Sequence, residues 1–198
     1  MDSIDYYNKY ANMYFETTVN LHMTEILDRF LELIPEGGAV LDLGCGSGRD
    51  SLEMMERGYD VTALDGSLEM CSLAEIHTGL EVLHMTFDEL DFDEVFEGIW
   101  ASASLVHVAS SHMPTILRKI RQALEMNGIL YFSVKQGDFE GYRNERYFTD
   151  YQKSDLKELF AKVDGFEIID IWKTQDVRKE RSETTWINVL AKKVEIED

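Results

Sequence analysis

The chain is poor in the residues that staple, punctuate or span. Of its 198 residues only two are cysteines and two are prolines. Cys45 and Cys71 belong to no CxxC pair and have no histidine at ligand spacing. That excludes a disulfide scaffold and a zinc site, leaves the metal-ligand set empty, and makes a reducing cytoplasm the expected location. No Ser/Gly/Pro-rich stretch marks a linker, and no repeat or low-complexity segment is present. No window approaches the roughly 20 apolar residues needed to cross a bilayer. The start, "MDSIDYYNKY", lacks a basic region followed by an apolar one, so no secretory signal is expected. Positive charge is also scarce, with 19 basic against 38 acidic residues and a formal net charge of −19. Such a surface repels phosphate backbones and argues against a nucleic-acid partner.

What is there is a normal core composition, with 44% hydrophobic and 11% aromatic residues. It predicts one folded domain over 1–198. From Gly38 onward apolar runs alternate with helical patterns, the signature of a parallel sheet flanked by helices. "AVLDLG" reads as the first strand and "RDSLEMMERG" as the helix after it, closed by Gly58. "YDVTALD" is the second strand; Ser67 caps the next helix and Gly79 stops it. "LEVLHM" and "GIWASASLV" read as strands three and four. Ser110 or Ser111 is the expected cap of a helix over 112–125, and Gly128 leads into a fifth strand, "ILYFSV". A polar loop is expected from Lys135 to Phe148, then a capping box of Thr149 with Gln152. "FEIIDIWKT" and "TTWINVLAKK" have no helix between them and so predict a terminal antiparallel hairpin. Residues 1–36 read as two helices. The first carries Tyr6, Tyr7, Tyr10, Tyr14 and Phe15, which suit either a docking face or a lid over a cofactor.

"VLDLGCGSGRD" places Gly44, Gly46 and Gly48 after the first strand, where a missing Cβ lets backbone approach a ligand. The spacing is GxGxG, not the GxGxxG of dinucleotide sites. Asp42 beside it disfavours a diphosphate and favours cationic groups. Asp65 closes the second strand, where an acid accepts hydrogen bonds from ribose hydroxyls. A ligand with ribose and positive charge but no phosphate fits S-adenosylmethionine. Phe87 and Asp88 in "MTFDELDF" are placed to meet its adenine.

These motifs in this order resemble the class I S-adenosylmethionine-dependent methyltransferases. Among them the chain looks most like small-molecule enzymes related to tellurite-resistance proteins, whose glycine loop also runs into Gly-Arg and a helix. The resemblance implies an α/β doubly wound seven-stranded sheet of order 3-2-1-4-5-7-6, strand 7 antiparallel, with helices on both faces. It implies S-adenosylmethionine as cofactor, S-adenosylhomocysteine as product and a small-molecule acceptor; no membrane partner and a monomer or homodimer are expected. Carried over, Asp42, Gly44, Cys45, Gly46 and Arg49 border the methionine part, and Asp65 with Gly66 the ribose. Phe87 and Asp88 hold the adenine, with Ser102 and Tyr14 completing the cofactor set. Cys45 is expected to be a small packed residue, since neighbouring Asp42 raises a thiol pKa.

The acceptor side is expected at the end of the fourth strand and in the loops above it. His107, ordinarily titrating near pH 6.5, is the candidate catalytic base, with packing at the following helix as its alternative. Tyr142, Arg146 and Arg178 are candidate substrate residues, the arginines as anchors for a small anion. Pairing of Arg143 and Arg178 with neighbouring glutamates is the competing expectation. A non-catalytic protein that binds S-adenosylmethionine or S-adenosylhomocysteine is the alternative function.

Overall fold

The computed structural model describes residues 2–196. Two N-terminal helices, α1 (Ser3–Thr18) and α2 (Thr24–Leu31), precede β1 (Ala39–Leu43). Then α3 (Arg49–Glu56), β2 (Asp60–Asp65), α4 (Leu68–Thr78), β3 (Val82–His84), β4 (Phe96–Ala101), α5 (Met113–Ala123) and β5 (Leu124–Lys135) alternate. A hairpin, β6 (Glu140–Arg143) and β7 (Arg146–Thr149), leads to α6 (Lys153–Ala161), β8 (Phe166–Gln175) and β9 (Thr185–Lys193). The main sheet runs β3-β2-β1-β4-β5-β9-β8, and β9 is antiparallel to both its neighbours. Counting only those seven strands, the order is 3-2-1-4-5-7-6, as the resemblance implies.

The central strands β1 and β4 and the C-terminal half of β5 are buried on both faces because helices cover each side of the sheet. Leu41, Leu43, Ile99, Leu130 and Phe132 pack with Ile116 and Leu117 of α5 and Leu156 of α6. The alternate residues, Val40, Trp100 and Tyr131, meet Leu27, Phe30 and Leu31 of α2 and Met54 of α3 on the other face. Trp100 and Tyr131 stack with ring centroids 4.0 Å apart.

Local chemistry places the helix ends near the site. The Ser67 hydroxyl accepts from the Met70 amide at the start of α4, and Gly79 closes that helix at φ 75°. Several expectations give way to longer-range partners. Ser110 does not cap α5, whose N-cap is His112, because its amide and hydroxyl both go to Glu140 (2.9 and 2.6 Å). Thr149 does not cap α6: its hydroxyl donates to the Val108 carbonyl, and Gln152 with Asp155 forms the capping box instead. The fourth strand stops at Ala101, and residues 105–107 form a 3-10 turn. The polar loop from Lys135 to Phe148 contains the β6–β7 hairpin, turned through Asn144 and Glu145 at positive φ (48° and 65°). β5 also begins earlier than expected, at Leu124, with an irregular register before Gly128.

Candidate functional site

The C-terminal ends of β1, β2 and β4 open under α1 and the β6–β7 hairpin. Two cavities lie there, one of about 740 Å³ and one of about 110 Å³. Tyr14, Gly44, Gly46, Ser102 and Ala103 border both. The glycine loop is thus the waist between two compartments.

The loop's shape follows from a few bonds. The amides of Gly44 and Cys45 both donate to the Leu64 carbonyl at 2.9 Å. One Asp65 oxygen accepts from the Gly46 amide (3.0 Å) and the other from the Ser67 amide (2.9 Å). Asp65 therefore ties the loop after β1 to the start of α4. Burial raises its pKa, and the Ser67 and Gly46 amides oppose that rise. Gly44 lies at φ 78°, and a Cβ there would meet the Ser104 Cβ at 2.5 Å. Both backbone and space require glycine. Gly44→Ala is expected to cost about 2 kcal/mol in a urea unfolding series; an unchanged midpoint would show that the Ser104 turn relaxes freely.

The smaller cavity is acidic underneath. Asp42 is 2% exposed and accepts from the Ser51 hydroxyl at 2.5 Å. Asp50 accepts from Arg49 (2.7 and 2.8 Å) and from the Trp100 indole (2.8 Å). Of the two buried carboxylates, only Asp50 is paired with the Arg49 guanidinium; Asp42 is held by the Ser51 hydroxyl. Burial, then the charge of Asp50, pushes the Asp42 pKa up to about 7. Burial and the same Asp42 push the Cys45 thiol well up, so it is no nucleophile.

The larger cavity takes in Asp65, Gly66, Phe87, Asp88, Ser102, His107 and Tyr142. Asp88 pairs with His112 at 2.6 Å, a neighbour to which no sequence pattern points. The His107 Nδ1 donates to the Tyr147 carbonyl (2.6 Å), because a carbonyl only accepts. Its Nε2 therefore accepts from the Tyr7 hydroxyl (2.9 Å). Burial drops the His107 pKa to about 4 and raises that of Tyr7. Both imidazole nitrogens are engaged, so His107 joins α1 to the hairpin.

The remaining expectations divide. Arg49 and Arg178 line the smaller cavity, each with its own carboxylate, Asp50 for Arg49 and Asp176 for Arg178 (2.8 and 2.6 Å). Arg178 thus pairs with Asp176 rather than Glu180, and Arg143 pairs with Asp150 rather than Glu145. Arg146 borders neither cavity. It is 8% exposed, donates to the Tyr7 hydroxyl (3.3 Å) and lies over the rings of Tyr6 and Phe148. Arg146 and Arg178 do not converge on one anion. Ala103, overlooked in the sequence, stands at φ 54° between the compartments, its amide held by the Ser133 hydroxyl at 2.9 Å. A non-glycine residue there stores strain, and nothing in "ASASLV" signals it.

Residues 40–128 match a family model described as a methyltransferase domain. An uncharacterized methyltransferase of Staphylococcus carnosus (strain TM300) is 26% identical over 80% of this chain and 81% of its own length. The cypemycin N-terminal methyltransferase of a Streptomyces species is 32% identical over 48% of this chain and 41% of its own length. The Burkholderia thailandensis 1,6-didemethyltoxoflavin-N1-methyltransferase, solved with 1,6-didemethyltoxoflavin and S-adenosylhomocysteine, superposes with a TM-score of 0.79 at 22% identity. That superposition covers 97% of this chain and 87% of that one. The fold is the class I methyltransferase fold. The family match covers Gly44, Gly46, Ser102 and Ala103 of the waist, and Tyr14 lies outside it.

Proposed function

We propose that the chain is an S-adenosylmethionine-dependent methyltransferase acting on a small-molecule acceptor. The observation that carries this reading is the pair of compartments joined at Gly44 and Gly46. One is of nucleoside scale with Asp65 at its edge, and the other is acidic through Asp42 and Asp50. A ligand with a ribose at one end and an ammonium at the other satisfies both. The compound named with the Burkholderia enzyme, 1,6-didemethyltoxoflavin, is a small molecule, which supports the acceptor class. Among the described residues no helix is long and apolar enough to cross a membrane. The narrower likeness to tellurite-resistance relatives is proposed from Gly48-Arg49 leading into α3; oxygen, nitrogen, sulfur and metalloid acceptor atoms all fit this reading.

When bound, the cofactor supplies an electrophilic methyl group. Asp65 offers its carboxylate to the ribose hydroxyls while keeping the loop amides fixed. Phe87 provides a ring face and Asp88 an acceptor for the adenine amine. Asp42 faces the ammonium. Tyr14, on α1, covers the glycine loop: a Cβ on Gly46 would lie 3.6 Å from its ring. His107, with a pKa near 4, positions Tyr7 and Tyr147 rather than removing a proton. Tyr142 forms part of the acceptor wall.

Calorimetry with S-adenosylhomocysteine tests the reading. An ammonium favours ionised Asp42, so affinity is expected to rise with pH through about 7, with proton release on binding below it. The sign for stability is opposite. A carboxyl whose pKa is raised in the folded state favours folding less as pH climbs from the ordinary range towards 7. Binding without proton release would remove Asp42 from the ammonium contact. Binding of NAD in place of S-adenosylhomocysteine would overturn the proposal, and binding without methyl transfer to any metabolite would leave the non-catalytic alternative.

A further inference from the structure

We propose that Lys135, Arg143 and Arg146, gathered around the ring of Phe148, form a site for one anionic group, a carboxylate or a phosphate, carried by the acceptor. The inference rests on the methyltransferase reading for the acceptor's role, but the anion site stands on its own geometry. The three cations lie 4.0, 5.9 and 5.1 Å from the centre of one ring, which is itself buried. Ring faces attract cations by about 0.5–2 kcal/mol each and do not cancel their mutual repulsion. Yet only Arg143 has a carboxylate, Asp150. Among the described residues Lys135 makes no ion pair or side-chain hydrogen bond, and the Arg146 Nε is buried without a partner. In a chain with twice as many acids as bases, a cluster left with excess positive charge is conspicuous.

The place suits an acceptor group. Lys135 ends β5, two residues beyond Ser133, which lines the smaller cavity and holds Ala103 at the waist. Trp186, whose ring centre lies 5.9 Å from the Lys135 ammonium, lines that cavity too. Arg146 touches Tyr7, which lines the larger one. None of the three cations lines a cavity itself; the cluster connects to the smaller one through Ser133 and Trp186 and to the larger through Tyr7. Burial first, then Arg143, Arg181 and Arg146 against the opposing pull of Asp150, bring the Lys135 pKa down to about 8. An arriving anion relieves that repulsion. Arg178, chelated by Asp176, is not part of the cluster.

The test titrates inorganic phosphate and acetate separately into the full chain at constant ionic strength, with and without S-adenosylhomocysteine. The NMR shift of the Lys135 ε-carbon and the unfolding midpoint are followed together. A saturable shift with phosphate identifies a phosphate group, and one with acetate a carboxylate. Lys135→Gln and Arg143→Gln are expected to weaken the midpoint response about tenfold or more, while exposed Lys173→Gln leaves it unchanged. Absence of a saturable shift with either anion, or equal responses in wild type and Lys135→Gln, overturns the proposal. S-adenosylhomocysteine binding measured on the same samples separates the two readings. Its loss from wild type sinks the methyltransferase, and its retention in Lys135→Gln shows that the cluster serves something other than the cofactor.

Discussion

Asp65→Ala is expected to weaken S-adenosylhomocysteine binding by about a hundredfold or more, measured by calorimetry. The carboxylate accepts from the Gly46 and Ser67 amides and, in the proposed function, from a ribose hydroxyl. Hydrogen bonds to a charged group contribute roughly 1.5–3 kcal/mol each, and 1.4 kcal/mol is a factor of ten in affinity. Removing the side chain deletes the ribose contact and frees the loop that forms the cofactor's bed. Asp65→Asn retains size but can accept at only one atom, so one of the two amides loses its partner. Its affinity is expected between those of wild type and alanine. Unchanged affinity in the alanine variant would mean that the ligand does not reach the end of β2.

The largest stability effect is expected at Trp100→Ala, about 3–5 kcal/mol and so a fall of roughly 10 °C in the melting midpoint. Trp100 is fully buried in β4, stacks on Tyr131 and donates to Asp50. Truncation leaves a cavity beneath the site and strips an indole donor from a buried carboxylate. Trp100→Phe shifts the balance between the two effects, because it keeps a six-membered ring in the stack while losing the N–H and a small part of the indole. About 1–3 kcal/mol is expected for the lost N–H alone. A phenylalanine variant as unstable as the alanine one would mean that the Asp50 hydrogen bond outweighs packing. Calorimetric scans of both variants decide it.

The glycine-loop half of the candidate site was legible in the sequence because its signals are local. Gly44 and Gly46 follow a strand directly, Asp65 ends the next one, and the Ser67 cap and Gly79 stop lie within one helix of each other. The terminal antiparallel pair was legible because a missing helix between two β-rich segments leaves only that pairing, whereas the full strand order was implied by the family resemblance. The half around His107 was not legible, because its contacts join distant residues. His107 meets Tyr7 from α1 and the Tyr147 carbonyl from β7, and neither partner has a spacing that announces it. Ser110 and Thr149 look like helix caps by residue type, yet Glu140 and the Val108 carbonyl claim them first. The β6–β7 hairpin escaped for a related reason: its turn uses Asn144-Glu145 in place of the Asn-Gly that usually marks such turns. Arginine positions were visible, but their partners decide what they can hold, and Arg178 was already taken.

The two cavities meet at a waist of Gly44, Gly46 and Ser102, and in the proposed function this makes recognition bivalent. Adenosine alone would engage one chamber and methionine alone the other, each bearing the full entropy of immobilisation. A molecule joining the two halves bears that loss once, and the second half docks at high effective concentration. Such linkage strengthens binding by about a hundredfold to ten-thousandfold without any new contact. The chain then discriminates against the cell's free nucleosides and amino acids by connectivity, a property that belongs to the waist rather than to any one side chain.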